Sequence, residues 1–214
     1  MLNDNPETTN SIEIRGKISS DFTFSHEVYG EGFYSFMVGA ERLSESVDLL
    51  PVTISERLIT GLDLQYGTLI NINGQVRSYN NYIQEERRNR LLITIFAREI
   101  EVLDPEYVIP KNPNNVFLDG FICKKPVFRE TPFGREIADI LLAVNRSYNK
   151  SDYIPCICWG RNARFASTLD ISDNVRIGGR LQSRIYQKKY EDGSVVEKNA
   201  YEISISKIEL VKES

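Results

Sequence analysis

Histidine is nearly missing from this 214-residue chain, cysteine is scarce, and no apolar run approaches the roughly 18 residues of a membrane-spanning helix. The one histidine, His26, sits in the polar stretch FSHEVYG with no Ser/His/Asp order around it, so it is read as a loop residue without a catalytic role. Cys123, Cys156 and Cys158 have neither the number nor the spacing of a zinc site or a redox pair and are read as small buried apolar residues. Phosphate-loop, dinucleotide and HExxH patterns are absent too. The expectation is therefore a chain that is not an enzyme, with no catalytic residue, no metal and no cofactor. Residues 1–10 are polar and hold no apolar leader, which predicts a reduced, cytoplasmic protein without a membrane partner. Basic excess is lacking as well: the net charge is −4. That lowers the expectation of a nucleic-acid partner without excluding one, because only a contacting surface has to be positive.

What the chain does have is 41% hydrophobic residues, enough for packed cores, and an internal repeat. Gly16 in SIEIRGKI and Gly120 in NVFLDGFI lie 104 residues apart. Gly30 and Gly134, Arg42 and Arg146, Arg57 and Arg161, and the tetrapeptides DLLP (from Asp48) and DYIP (from Asp152) keep the same offset of 104. INING, ending at Gly74, meets VRIGG, ending at Gly179, at 105. Collinear matches of this kind predict two copies of one domain, at residues 1–104 and 114–214. Residues 105–113 between them carry Pro105, Pro110 and Pro113 and read as a short, stiff, extended linker.

Each copy reads as all-β with one short helix. In the second, alternating or β-rich runs cover 116–122, 137–144, 153–159, 175–186 and 201–210, and the helical segment 162–169 follows the third run. Residues 55–62 take its place in the first copy. Five strands with a helix between strands 3 and 4 is the OB-fold order, so the expected architecture is two tandem five-stranded OB-fold barrels. Gly178-Gly179 falls inside a strand and marks a bulge or barrel bend, and Gly193, after Asp192, marks a hairpin. Arg87, Arg88 and Arg90 with Glu85 and Glu86 read as a solvated hairpin tip.

Strand parity then sorts the side chains. Ile154, Cys156 and Cys158 form an inward face, leaving Tyr153, Ile157, Trp159 and Arg161 outward. On the next strand Ile177, Gly179, Leu181 and Ile185 should point inward, and Arg180, Gln182, Arg184 and Tyr186 outward. Aromatic rings interleaved with guanidinium groups suit a single strand, where every base offers a π-face and every nucleotide a phosphate.

The second copy resembles the bacterial single-stranded DNA-binding protein family along nearly its whole length. The carrying residues are NVFLDG from Asn115, ILLAVNR from Ile140, DYIPCICWGR from Asp152, residues 163–169, and IGGRLQSRIY from Ile177, with Asp192-Gly193. The first copy keeps the glycines, Pro51 and the strand rhythm. The resemblance implies a barrel that binds single strands by base stacking and phosphate contacts in replication, recombination or repair, in the nucleoid of a bacterium. It also implies that Tyr148, Tyr153, Trp159 and Tyr186 occupy the family's aromatic places. Arg146, Arg161, Arg180 and Arg184 complete the expected nucleic-acid-binding set. Family members commonly present four barrels per particle, so two per chain predict a homodimer. Their flexible acidic tail has no counterpart here, so recruitment of replication or repair partners through it is not expected.

Charge separates the copies. Residues 114–214 carry 16 Lys and Arg against 13 Asp and Glu, net +3; residues 1–113 carry 10 against 17, net −7. Leu49 and Ser55 stand where the second copy has Tyr153 and Trp159. The first barrel is expected to bind weakly, with Arg42, Arg57, Arg77 and Tyr79 as secondary contacts. Single-stranded DNA is the expected partner, with RNA left open. The alternative is a protein-interaction or primosome-like accessory OB module with weak nucleic-acid binding.

Overall fold

In this computed structural model, residues 9–83, 88–189 and 193–211 are described. Alternation drives strand formation from the first element onward: Ile12, Ile14 and Ile18 are buried while Ser11 and Lys17 face outward. The first copy runs β1 (Asn10–Ile18), β2 (Thr23–Val28), β3 (Glu31–Glu41), β4 (Val47–Ser55), α1 (Glu56–Ile59), β5 (Leu69–Ile83) and β6 (Arg88–Val102). The second runs β7 (Asn114–Ile122), β8 (Val127–Glu130), β9 (Glu136–Arg146), β10 (Lys150–Trp159), α2 (Arg161–Ala166), β11 (Asn174–Lys189) and β12 (Val195–Leu210).

Both copies close as five-stranded OB barrels. In the first, β3–β4, β5–β6 and β1–β5 pair antiparallel, β4–β6 pairs parallel, and β1–β3 closes the ring. The second repeats this with β9–β10, β11–β12, β7–β11, parallel β10–β12 and the closing pair β7–β9. Close approach at the closing pair requires glycine: a Cβ on Gly120 would lie 2.6 Å from the Ala143 carbonyl oxygen. Beyond the expected five strands, each copy has a sixth, β2 or β8, exposed along its length and paired, among the described residues, only to the neighbouring β3 or β9. His26, expected in a loop, lies on β2, where its ring stacks on Phe33 at 4.9 Å.

Strand β1 also pairs antiparallel with β7, from Asn10 opposite Leu118 to Ile14 opposite Asn114. Ile12 therefore faces Val116, its own repeat counterpart, and the two barrels are related by a local pseudo-two-fold through that pair. One hydrogen-bonded ladder thus passes from barrel to barrel, and their core side chains form a single cluster. The prolines still keep 105–113 irregular, but its end is tied down: the Arg15 N–H donates to the Pro113 carbonyl at 2.7 Å. Fully buried Leu50, Ile54, Leu142 and Ile154 are typical of the core, each worth about 1.5–3 kcal/mol of burial. Cys156 and Cys158 lie within it, and burial pushes the Cys158 thiol up to about 12 and the Cys156 thiol well up too, so both stay protonated.

Two parity expectations fail. Ile185 is 66% exposed, because past Leu181 the β11–β12 ribbon leaves the barrel as an arm with no core to face. Ile157 and Gln182, expected outward, are buried: Ile157 lies on a central strand between β9 and β12, and Gln182 bonds Glu202 and Arg180 beneath that arm. The bulge expected at Gly178-Gly179 is there as a register shift against β12. Residues 84–87 of the Arg87 hairpin tip, and Asp192, lie outside the described residues.

Candidate nucleic-acid interface

Strand β10 carries two of the expected aromatic residues. Its inward side chains fill the core, and Tyr153 and Trp159 emerge from the opposite side, 44% and 41% exposed. Just beyond Trp159 the chain reverses at Gly160, whose φ of 53° paired with ψ of −119° favours glycine. The Gly160 N–H donates to the Glu136 carbonyl at 2.9 Å, and its own carbonyl accepts from the Arg164 N–H. This turn leaves Trp159 at the strand end and Arg161 on the first turn of α2. Arg161 is exposed, and among the described residues nothing pairs with its guanidinium. A hollow of about 400 Å3 beside the indole is lined by Glu130, Gly134, Arg135, Glu136, Gly160 and Arg164.

Tyr148 tops the β9–β10 turn with positive φ, as does Asn149, and is 94% exposed. Tyr186 lies half-buried on the β11 arm. The Arg184 guanidinium sits 6.0 Å from its ring centroid and 3.6 Å from the Glu202 carboxylate.

Four other expected contacts are engaged elsewhere. Asp48 on β4 accepts from Arg42 Nε at 2.7 Å, from the Ser183 N–H at 2.7 Å and from Arg180 Nη1 at 3.3 Å. Its repeat counterpart Asp152 on β10 accepts from Arg77 Nη1 at 2.8 Å, from the Ser78 N–H at 2.8 Å and from Arg146 Nη1 at 3.5 Å. Ser78 and Ser183 are themselves counterparts, so each barrel's arm docks on the other barrel's aspartate in the same way. Arg77 has a side chain only 10% exposed, and burial pulls its pKa down against the opposing pull of Asp152. Arg42, Arg146 and Arg180 keep 27%, 29% and 37% of their side-chain exposure. Arg77 and Arg180 thus reach the other barrel's aspartate, Arg42 also donates to the Ser183 carbonyl at 3.0 Å, and Arg146 supports Asp152 from within its own barrel. The signal was visible, since both aspartates keep the repeat offset, but their partners lie 75 and 135 residues away.

The first barrel's equivalent of the Trp159 site is polar. Ser55 caps α1 through the Arg57 N–H at 3.2 Å and also bonds Glu31. Arg57 pairs with Glu31 at 2.9 Å, and the Ser55 hydrogen bond, then Arg57, hold the Glu31 carboxyl below its usual range. Tyr79 is 39% exposed, near the root of the β5–β6 arm.

Comparison with known proteins agrees with this architecture. Residues 113–211 match the family described as the single-strand binding protein family. Single-stranded DNA-binding protein A of Bacillus subtilis is 36% identical over 83 residues, 36% of this chain and 48% of that protein. The chain thus spans about half the length of that relative. Single-stranded DNA-binding protein B of the same organism is 34% identical over 83 residues, which cover 74% of it. The solved single-stranded DNA binding protein of Thermus aquaticus superposes along nearly the whole chain, with a TM-score of 0.72 over 96% of this chain and 94% of that one. At 16% identity that likeness speaks for the tandem fold. On the match to residues 113–211 and on the identity to protein B over most of its length, this chain belongs to the single-strand binding protein family.

Proposed function

We propose that the chain binds single-stranded DNA, with the second barrel as the main contact, and acts by binding rather than by catalysis. The observation that carries this reading is the pair Tyr153 and Trp159. Two large rings stand outward on one strand, and the unpaired Arg161 follows them. Bases stack on such rings at about 1–3 kcal/mol each, and the guanidinium meets a phosphate of the strand beyond Trp159. Tyr148, Tyr186 and Arg184 extend the face along the β9–β10 turn and the β11 arm. Arg42, Arg77, Arg146 and Arg180 are left out of the contact set because Asp48 and Asp152 hold them. The relatives named above are single-stranded DNA-binding proteins, which fits a cytoplasmic role in replication, recombination or repair; RNA is the competing strand.

Titration of the full chain with poly-dT, followed by tryptophan fluorescence, tests this. Trp159→Ala is expected to weaken binding by about 1–3 kcal/mol, or roughly 5- to 150-fold. Arg161→Ala should instead lower the salt slope by about 0.7, the share of a single phosphate that the variant no longer neutralises. A folded Trp159→Ala variant with wild-type affinity would remove the ring from the interface.

We further propose domain limits of 1–104 and 114–214, with 105–113 between them, and a homodimer that brings four barrels together. Phe117 and Phe121, 38% and 42% exposed on the outer side of β7, offer it an apolar contact. Light scattering at micromolar concentration should report twice the 24.6 kDa chain mass; a monomer would refute the dimer.

A further inference from the structure

Between the barrels lies a groove of about 610 Å3 that neither barrel forms alone. One wall is the outer surface of the first barrel, with His26 on β2 and Pro51 on β4. The other walls are the roots of the two long arms, Tyr79 and Leu92 on β5–β6, and Tyr186 and Tyr201 on β11–β12. Pro155 of β10, the repeat counterpart of Pro51, also lines it, so the groove straddles the pseudo-two-fold. The arms are clasped across it by Arg90, whose guanidinium donates to the Asn199 carbonyl at 3.2 Å.

Its chemistry differs from that of the surface around it. Three tyrosine rings and an imidazole line it, yet among the described residues no carboxylate does, in a chain with 30 Asp and Glu. Among those same residues the Arg90 guanidinium is its one charged group that stays cationic across the neutral range. Asn80 and Asn199 bring side-chain amides that can pair with base edges. The volume falls within the range of about 300–1,000 Å3 of small-ligand sites, room for a base and its sugar rather than a long strand. Tyr186 belongs both to this groove and to the aromatic face of the second barrel. The Tyr153 N–H donates to Ser78 Oγ at 2.8 Å, one residue from Tyr79. The groove therefore continues that face toward the first barrel.

We propose that the inter-barrel groove is a nucleobase site, in which bases of a single strand leaving the second barrel insert among Tyr79, Tyr186, Tyr201 and His26. This rests on the single-strand reading above. It gives the acidic first barrel a part in binding that needs no exposed basic surface, since the contact is stacking in a slot whose described lining holds no carboxylate.

The test uses the full chain with dT oligonucleotides carrying 5-iodouracil, photo-crosslinked at saturation and mapped by peptide mass spectrometry. Adducts are expected on peptides holding Tyr79, Tyr201 or His26, in addition to those around Trp159. Tyr79→Ala should cost about fivefold or more in affinity, the low end of one stacking platform. Leu92→Glu removes no ring and places a carboxylate in the groove from a side chain already 37% exposed; it should weaken binding by steepening repulsion at low salt. Adducts confined to the second barrel, together with wild-type affinity in Leu92→Glu, would overturn the groove site. Should poly-dT binding itself be absent in the wild-type chain, the single-strand reading fails first. Should Trp159→Ala weaken binding while both groove variants match wild type, the groove inference alone fails.

Discussion

Replacing Asp152 by alanine is expected to destabilise the folded chain by about 3–5 kcal/mol, the cost of leaving a buried charge without its partner. Asp152 is 0% exposed and takes hydrogen bonds from Arg77, Arg146 and the Ser78 N–H. Arg146, 29% exposed, can turn to water, but Arg77 cannot: it is 10% exposed and wedged under the second barrel. Its guanidinium would stay charged and lose the carboxylate that compensates its desolvation, and the Ser78 N–H would lose its acceptor. Urea denaturation should show a lowered midpoint at an unchanged slope. The pair Arg77→Met with Asp152→Leu should recover most of the loss, because an apolar pair carries no desolvation cost. Asp48→Ala should cost less, since its partners Arg42 and Arg180 are 27% and 37% exposed and can rehydrate. An Asp152→Ala variant within about 1 kcal/mol of wild type, the worth of one ordinary hydrogen bond, would mean that the β1–β7 ladder and the Asp48 contacts hold the barrels without it.

Those aspartates also mark where the sequence stopped being readable. The repeat offset, the helix after the third barrel strand and the inward run Ile154, Cys156, Cys158 follow from local periodicity, and the barrels form as that periodicity demands. Trp159 and Tyr153 were legible for the same reason, since parity alone places them opposite the core. Which strand edge pairs with which is a long-range matter, however, and nothing local in SIEIRGKI announces that β1 will pair with β7. Arg42 and Arg146 looked like phosphate contacts because a repeated arginine on a strand end has the same signature whether it meets a phosphate or a buried aspartate. Ile185 shows the limit of parity itself: alternation continues into the arm, but past Leu181 there is no barrel interior to face. The groove was invisible for a similar reason: its rings come from four separate strands, and although Tyr186 and Tyr79 stood out one by one, nothing local brings them together with Tyr201 and His26.

Two adjacent glycines should respond oppositely to the same substitution. Gly179→Ala is expected to destabilise the chain by about 1–3 kcal/mol or more, the range for overpacking a rigid site. Gly178→Ala should stay within about 1 kcal/mol of wild type, as an alanine where a strand glycine carries no special duty. A Cβ on Gly179 would drive into the Ser204 carbonyl oxygen, lie 3.1 Å from the carbonyl carbon and 3.2 Å from Ile203 Cγ2. The obstructing atoms are backbone, held in the β11–β12 ladder where Gly179 pairs with Ile205, so no side-chain rotation relieves the clash. Gly178 meets only the Lys207 Cβ, at 3.9 Å, an ordinary contact. The repeat makes the same statement for Gly74, whose Cβ would strike the Phe96 carbonyl at the matching register shift. The consequence reaches function because this bulge sets the direction in which the β11 arm departs. Arg180 and Ser183, which dock on Asp48, and Arg184 and Tyr186, which extend the aromatic face, all lie within seven residues beyond it. A Gly179→Ala protein that remains folded at low temperature should therefore lose poly-dT affinity as well as stability, whereas Gly178→Ala should keep both. Parallel thermal melts and fluorescence titrations of the two variants measure this directly, and equal behaviour of the pair would show that the bulge, rather than the glycine, absorbs the added carbon.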